Sequence, residues 1–281
     1  MEKMTIEEYA QEIANRIEYT TLQMVEKNGV MKHGLIQKLP ESNVGATVYI
    51  EDFYEDNVTV DEAVKHIMNI FAEHGVQKQV NFAWLSDFDA IKGKLTMRLL
   101  NKATVSNNTQ IITEDATPYG FDDCVLIPTL LLSEEDLAEV HTELRGAIKV
   151  TYNMAKVWGI ESNEVCRIAM ENTKSVIPSI QTMTEFLNNH IEEEFLPELP
   201  LLVISNRWYS YGAVMAIILK EQLLKKFKHG YFVIPSSVHE TIIVPKEFGI
   251  DVDSLNEFVK TVNGTCLKPE DILSDQVYDV A

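Results

Sequence analysis

The sequence predicts an α+β fold, with helices packed on mainly antiparallel sheet and a strand–helix–hairpin–helix module at the C-terminal end. Three observations predict it. Helix-period apolar stripes and short strand-type apolar runs both occur along the 281-residue chain. Several strand candidates are separated by turns of only a few residues, which favours antiparallel hairpins over parallel crossovers. Hydrophobic residues make up 46% and charged residues 24%, the balance of a chain able to bury a core.

Taken in order, Thr5 and Glu8 have capping-box spacing, and Ile6, Tyr9, Ile13, Ile17 and Leu22 follow a helical stripe up to Asn28-Gly29. Val30 to Leu39 reads as a strand, Glu41 to Gly45 as a turn and Ala46 to Phe53 as a second strand, together a hairpin. Thr59 and Glu62 open another helix, with Val64, Ile67, Ile70 and Phe71 inward and His74-Gly75 as its stop. Phe82 to Leu100 is predicted helical from about Ser86-Asp87, carrying Phe88, Ile91, Leu95, Leu99 and Leu100. Gln110 to Thr113, Asp123 to Leu132 and Gly146 to Val150 read as strands, and Ser133-Glu134-Glu135-Asp136 fits either a helix start or a loop. Tyr152 to Trp158 is a short helix broken at Gly159, and Ser162 caps a helix from Asn163 to Thr173.

Val176 to Glu198 is a mixed connecting segment, with Pro178, a helix near Thr184 to His190 and the acidic run Glu192-Glu193-Glu194. It suggests a division into an N-terminal region, 1–190, and a C-terminal module, 191–281, with one continuous domain as the alternative. The module reads as a strand at Leu201 to Ile204, a turn at Ser205-Asn206-Arg207 and a helix from Tyr211 to Phe227. A hairpin follows, Tyr231 to Ile234 with Thr241 to Val244 around Pro235-Ser236-Ser237. A helix from Asp251 to Val262, stopped at Asn263-Gly264, closes it.

The formal net charge is −19, from 43 acidic and 24 basic residues. Such a field repels phosphate, so direct nucleic-acid binding and anionic membrane surfaces are not expected. The acids are spread along the chain, which favours a well-solvated surface over a nucleic-acid mimic. Cys124, Cys166 and Cys266 are far apart and odd in number, fitting a reducing compartment. The start of the chain has no leader-like pattern, and no apolar run approaches the length of a membrane span. A cytoplasmic protein is expected.

The sharpest chemical constellation is Ser236, Ser237, His239 and Glu240. A serine nucleophile needs a base and a group that orients the base, and all three types occur here. In a strand, however, His239 and Glu240 face opposite sides, and no G-x-S-x-G elbow is present. A hairpin turn held by its own side chains is the favoured reading. His239-Glu240 fails as a zinc motif because position 243 is Ile243, and no Cys or His spacing fits a metal. Asn206, Arg207 and Tyr211 precede a helix start, where free N–H groups favour an anion; Trp208, Tyr209 and Tyr211 serve equally as packing. Lys220, Lys225, Lys226 and Lys228 complement the dipole of the same helix. No metal and no cofactor are expected.

Several segments, in order, resemble the DUF5688 family of bacterial proteins, common in gut Firmicutes. They are Asn28-Gly29-Val30 with Gly34, Thr47 to Tyr54, Trp158-Gly159-Ile160, Ala169 to Thr173, Ser205-Asn206-Arg207, Tyr211-Gly212-Ala213, Tyr231 to Glu240 and Leu273 to Tyr278. A more distant likeness is to the DUF1444 family, through a helix ending in Trp-Gly, an Ala-x-x-Asn segment and a Pro-centred hairpin. The resemblance implies a cytoplasmic bacterial protein and supplies no activity, ligand or catalytic residue. The expected function is therefore that of a non-enzymatic binding protein for a protein or small-molecule partner. Its candidate cleft comprises Asn206, Arg207, Tyr211, Ser236, Ser237, His239 and Glu240. A hydrolase-like enzyme using Ser236 or Ser237 with His239 is one alternative, and an acidic nucleic-acid mimic is another.

Overall fold

Local capping chemistry starts the first helix. The Thr5 hydroxyl accepts from the Glu8 N–H at 3.2 Å, and the Glu8 carboxylate accepts from the Thr5 N–H at 2.9 Å. This is the expected capping box, and it opens α1 (Ile6–Ala14). The computed structural model describes residues 4–76, 78–105, 108–133, 146–188, 201–208 and 210–281. They fall into two units, residues 1–84 with 132–146, and residues 85–131 with 147–281.

In the first unit α1 stops at Ala14, well before the expected Asn28-Gly29. The dipeptide is instead a hairpin turn: Asn28 has φ 46° and Gly29 φ 83°, the pair of positive angles that a type I′ hairpin needs. It joins β1 (Thr20–Lys27) to β2 (Val30–Gln37), antiparallel from Lys27↔Val30 to Thr20↔Gln37. Thr20, Thr21 and Val25 are β-branched and favour the strand. The expected hairpin of β2 with β3 (Ala46–Tyr49) is present, but β3 ends early and Glu51–Glu55 forms α2. α3 (Val60–His74) runs between its predicted limits from a second capping box at Thr59. Ala10, Ile13, Leu35, Ile50, Ala63, Ile67 and Phe71 are buried in one cluster shared by α1, α3 and the sheet. Each large side chain there contributes about 1.5–3 kcal/mol.

In the second unit the expected helix at 82–100 is corrected. Only α4 (Phe88–Ile91) is α-helical, and Leu95–Asn101 forms β4. α5 (Lys102–Val105), β5 (Glu114–Asp115), β6 (Cys124–Leu132) and β7 (Gly146–Lys149) follow. β4 pairs antiparallel with β6 from Leu95↔Leu130 to Asn101↔Cys124, and the sheet has the order β4-β6-β5 with β7 on β6. The strand expected at 110–113 reduces to a single bridge, Ile111↔Thr151. α6 (Tyr152–Trp158) ends at Gly159, in the left-handed region at φ 69° as a C-cap glycine should be. α7 (Ser162–Thr173) begins one residue earlier than expected.

The rest of this unit is an antiparallel sheet of order β12-β10-β11-β9-β8. Its strands are β8 (Pro178–Thr182), β9 (Leu202–Asn206), β10 (Tyr231–Ile234), β11 (Thr241–Pro245) and β12 (Tyr278–Val280). α8 (Met183–Asn188) follows β8. The helix expected from Tyr211 to Phe227 is broken into a 3-10 turn at Gly212–Val214, α9 (Met215–Ile218) and α10 (Lys220–Lys226). α11 (Val252–Thr265) packs Leu255 and Val259 on Phe232, Ile234 and Val244. It runs through the expected stop at Asn263-Gly264, because the Asn263 amide is buried and donates to the Ser274 carbonyl at 2.9 Å and to Asp275 at 2.8 Å.

The expected boundary at 190/191, the acidic run Glu192-Glu193-Glu194, His190 and the segment after Ser133 lie outside the described residues. β8 and β9, on either side of that boundary, are paired. Among the described residues no helix is long and apolar enough to cross a membrane.

Candidate functional site

β9 and β11 are neighbours in the sheet, so Asn206 at the end of one lies near His239 in the turn just before the other. The chain between them is drawn in by hydrogen bonds to one carbonyl. The His239 oxygen accepts from the Ser205 hydroxyl at 2.7 Å and from the Gly212 N–H at 2.9 Å. A Cβ at Gly212 would lie 2.4 Å from the Asn206 nitrogen and 2.7 Å from that carbonyl, so only glycine permits this approach.

The preceding residue, Tyr211, has φ 51°, an uncommon angle for a bulky side chain. Its N–H donates to Nδ1 of His239 at 3.1 Å. Nδ1 therefore carries a lone pair, and the ring proton is on Nε2, which lies 3.5 Å from an Asp271 oxygen. The Tyr211 and His239 rings are 5.1 Å apart and tilted. Backbone, imidazole and ring contacts together fix where the Tyr211 phenol stands.

Ser236 and Ser237 both donate to one oxygen of Glu240, at 3.2 and 2.8 Å. Ser237 also accepts from the His239 N–H at 2.9 Å. Among the described residues neither hydroxyl bonds to a histidine ring. The four residues build the turn between β10 and β11. Asn206 builds a loop in the same way: its amide donates to the Ser210 carbonyl at 2.6 Å and its oxygen accepts from the Trp208 N–H at 3.0 Å. Arg207 is exposed, with its guanidinium 4.4 Å over the Trp208 ring.

Residues 3–279 match the model of DUF5688, a family of unknown function. The chain belongs to the DUF5688 family. Searches of curated proteins and of solved structures give no match. The segments that carry the resemblance have definite places in this DUF5688 chain. Asn28-Gly29 is a hairpin turn, Trp158-Gly159 the end of α6, and Ser205 to Gly212 with Ile234 to Glu240 the junction just described.

The charge at that junction comes from a residue that sequence reasoning missed. Arg98, on β4, places its guanidinium carbon 3.7 Å from the centroid of the Tyr211 ring. Arg98 is partly buried. Among the described residues it makes no hydrogen bond or ion pair, and burial draws its pKa down to about 10. Among the described residues no group of His, Cys, Asp and Glu is arranged to hold a metal.

A second polar cluster is structural. The Tyr278 hydroxyl donates to Asp123, and the Ser274 hydroxyl donates to the other oxygen of the same carboxylate at 2.6 Å. The Cys124 sulfur is 3.3 Å from the Tyr278 oxygen. Burial pushes the Cys124 thiol up to about 12 and the Tyr278 phenol well above its ordinary value. These bonds pin β12 and the segment before it to the start of β6.

Proposed function

We propose that this chain is a non-enzymatic binding protein that takes a small organic anion, a carboxylate or a phosphate ester, at Arg98 beside Tyr211 and His239. One observation carries the reading: a partly buried guanidinium with no hydrogen bond or ion pair among the described residues. A guanidinium presents five N–H donors and no acceptor, and withdrawing such an ion from water without a partner costs several kcal/mol. The Tyr211 face recovers about 0.5–2 kcal/mol of that. A bidentate oxyanion is the partner whose geometry matches the fork.

Binding rather than reaction is supported by the bonds already made. Both serine hydroxyls are engaged with Glu240, and His239 Nδ1 is engaged with Tyr211. The proposal includes a cytoplasmic setting, supported by the three free cysteines.

Inorganic phosphate and succinate, titrated against the isotope-labelled chain, test the reading. The Tyr211 and His239 resonances should shift saturably with at least one anion, and Arg98→Gln should weaken the response by about tenfold or more. No shift in the wild type, or the same shift in R98Q, overturns it.

A further inference from the structure

The structure has a recess along α7 that is lined by neither Arg98 nor Tyr211 nor His239. Its volume is about 460 Å³, within the range of roughly 300–1,000 Å³ typical of small-molecule sites. β5 supplies Glu114 to one wall, and the tyrosines Tyr119 and Tyr152 supply aromatic surface. Ile112, Cys166 and Met170 add apolar area. Tyr152 is 49% exposed, so its ring is available to a visitor.

Two carboxylates, Glu114 and Glu171, and two cations, Arg167 and Lys174, line this recess, and they are not evenly paired. Arg167 is engaged by Glu164, through bonds of 2.8 and 2.7 Å, and Lys174 by Glu171 at 2.9 Å. Glu114 is partly buried and has no hydrogen bond or ion pair among the described residues. Burial raises the Tyr119 phenol, with Glu114 adding to the rise and Lys174 opposing it, and burial with Glu114 pushes the Cys166 thiol up to about 11. One uncompensated carboxylate therefore stands beside two tyrosine rings and an apolar surface.

We infer that this cleft is a binding site for a small organic ammonium ion, with Glu114 as its counter-ion and Tyr119 and Tyr152 as its walls. A carboxylate supplies the charge-assisted hydrogen bond. Aromatic faces attract the same cation through their quadrupoles, and apolar atoms cover its carbon chain. An anionic ligand would be repelled by Glu114, and a neutral one would leave that carboxylate desolvated without compensation. The chain's net charge of −19 draws cations toward the surface, so selectivity must be read against that background.

Calorimetric titration of the whole chain with 1,4-diaminobutane tests the inference. It is run at about 0.15 M salt, where the Debye length is about 8 Å and diffuse attraction is screened. Saturable one-to-one binding is expected, with none for butane-1,4-diol. Glu114→Gln should weaken binding by about tenfold or more. Glu114→Asp, which keeps the charge, should retain part of it. Glu257→Gln, which removes an exposed charge on α11, should bind as the wild type does. The inference is overturned if the wild type does not bind, if the diol binds equally, or if E114Q and E257Q behave alike. Circular dichroism and melting of E114Q establish that any loss is not unfolding, and E114D supplies the same discrimination if E114Q does not fold.

Discussion

Replacing Gly212 by alanine should be far more damaging than its lack of a side chain suggests. The added Cβ would sit 2.4 Å from the Asn206 nitrogen, 2.4 Å from the Ser205 hydroxyl oxygen and 2.7 Å from the His239 carbonyl oxygen. Two of these three are backbone atoms, one at the end of β9 and one in the turn before β11, so no side-chain rotation relieves the clash. Asn206 is held by Pro178 of β8, and neighbouring Ile204 is held by Thr241 of β11. The 3-10 turn must therefore retreat from β9. That retreat loses the Gly212 and Ser205 bonds to the His239 carbonyl, each worth about 1 kcal/mol net. Residual overpacking adds about 1–3 kcal/mol. The narrower unfolded ensemble of alanine returns about 0.4–1 kcal/mol. The sum is a loss of about 3 kcal/mol. Gly264→Ala is the internal reference: no atom lies within 4 Å of its Cβ position and it sits inside α11, so the same change should gain about 0.5–1 kcal/mol. Urea unfolding of both variants measures this as opposite shifts in midpoint at an unchanged slope. A loss below about 1 kcal/mol in G212A would refute the reasoning, because it would mean that the close approach of β9, β11 and the 3-10 turn can relax at little cost.

Three further outcomes are expected. Arg98→Met keeps the stem of the side chain and removes an ion without a described partner, so stability should be unchanged or higher by up to about 2 kcal/mol while phosphate or succinate binding disappears. A loss above about 1 kcal/mol in urea unfolding would show that Arg98 has a structural partner. Tyr278→Phe removes the hydroxyl that donates to Asp123 and leaves a partly buried carboxylate one donor short, a cost of about 1 kcal/mol or more read as a lowered urea midpoint. Stability should also fall in alkali. Folded Cys124 titrates near 12, Cys166 near 11 and Tyr231 near 12, against ordinary values of 9.0 for the thiols and 10.0 for the phenol. The native state keeps protons that the unfolded chain releases, so the contribution is complete below about pH 9 and is lost as pH rises toward 12. Melting temperatures that stay level from pH 8 to 11 would contradict this.

What could be read from the sequence was what is decided locally. Thr5 with Glu8, Thr59 with Glu62, Gly159 and Asp251 each satisfy backbone groups within a few residues, and all four stand where their spacing put them. The Pro235 to Glu240 turn was legible for the same reason, since Ser236, Ser237 and Glu240 bond to one another. Elements decided by a distant partner were not legible. β1 was hidden in a helical stripe, and the break at Tyr211-Gly212 depends on the His239 carbonyl in the turn before β11.

The consequential case is β4. Leu95 and Leu99 fit both periods, since a spacing of four places residues on one face of a helix and on one face of a strand. Met97 is the residue that discriminates. A helix would turn it away from Leu95 and Leu99, whereas a strand aligns all three, and Met97 is 2% exposed. The same parity sets the charge. In a helix Arg98 would lie one turn from Leu95, along the apolar stripe, where a guanidinium has no place. In the strand it points opposite to Leu95, Met97 and Leu99, and that direction brings it to the face of Tyr211. Reading the period of these seven residues as two would have identified the strand and turned Arg98 away from Leu95, Met97 and Leu99.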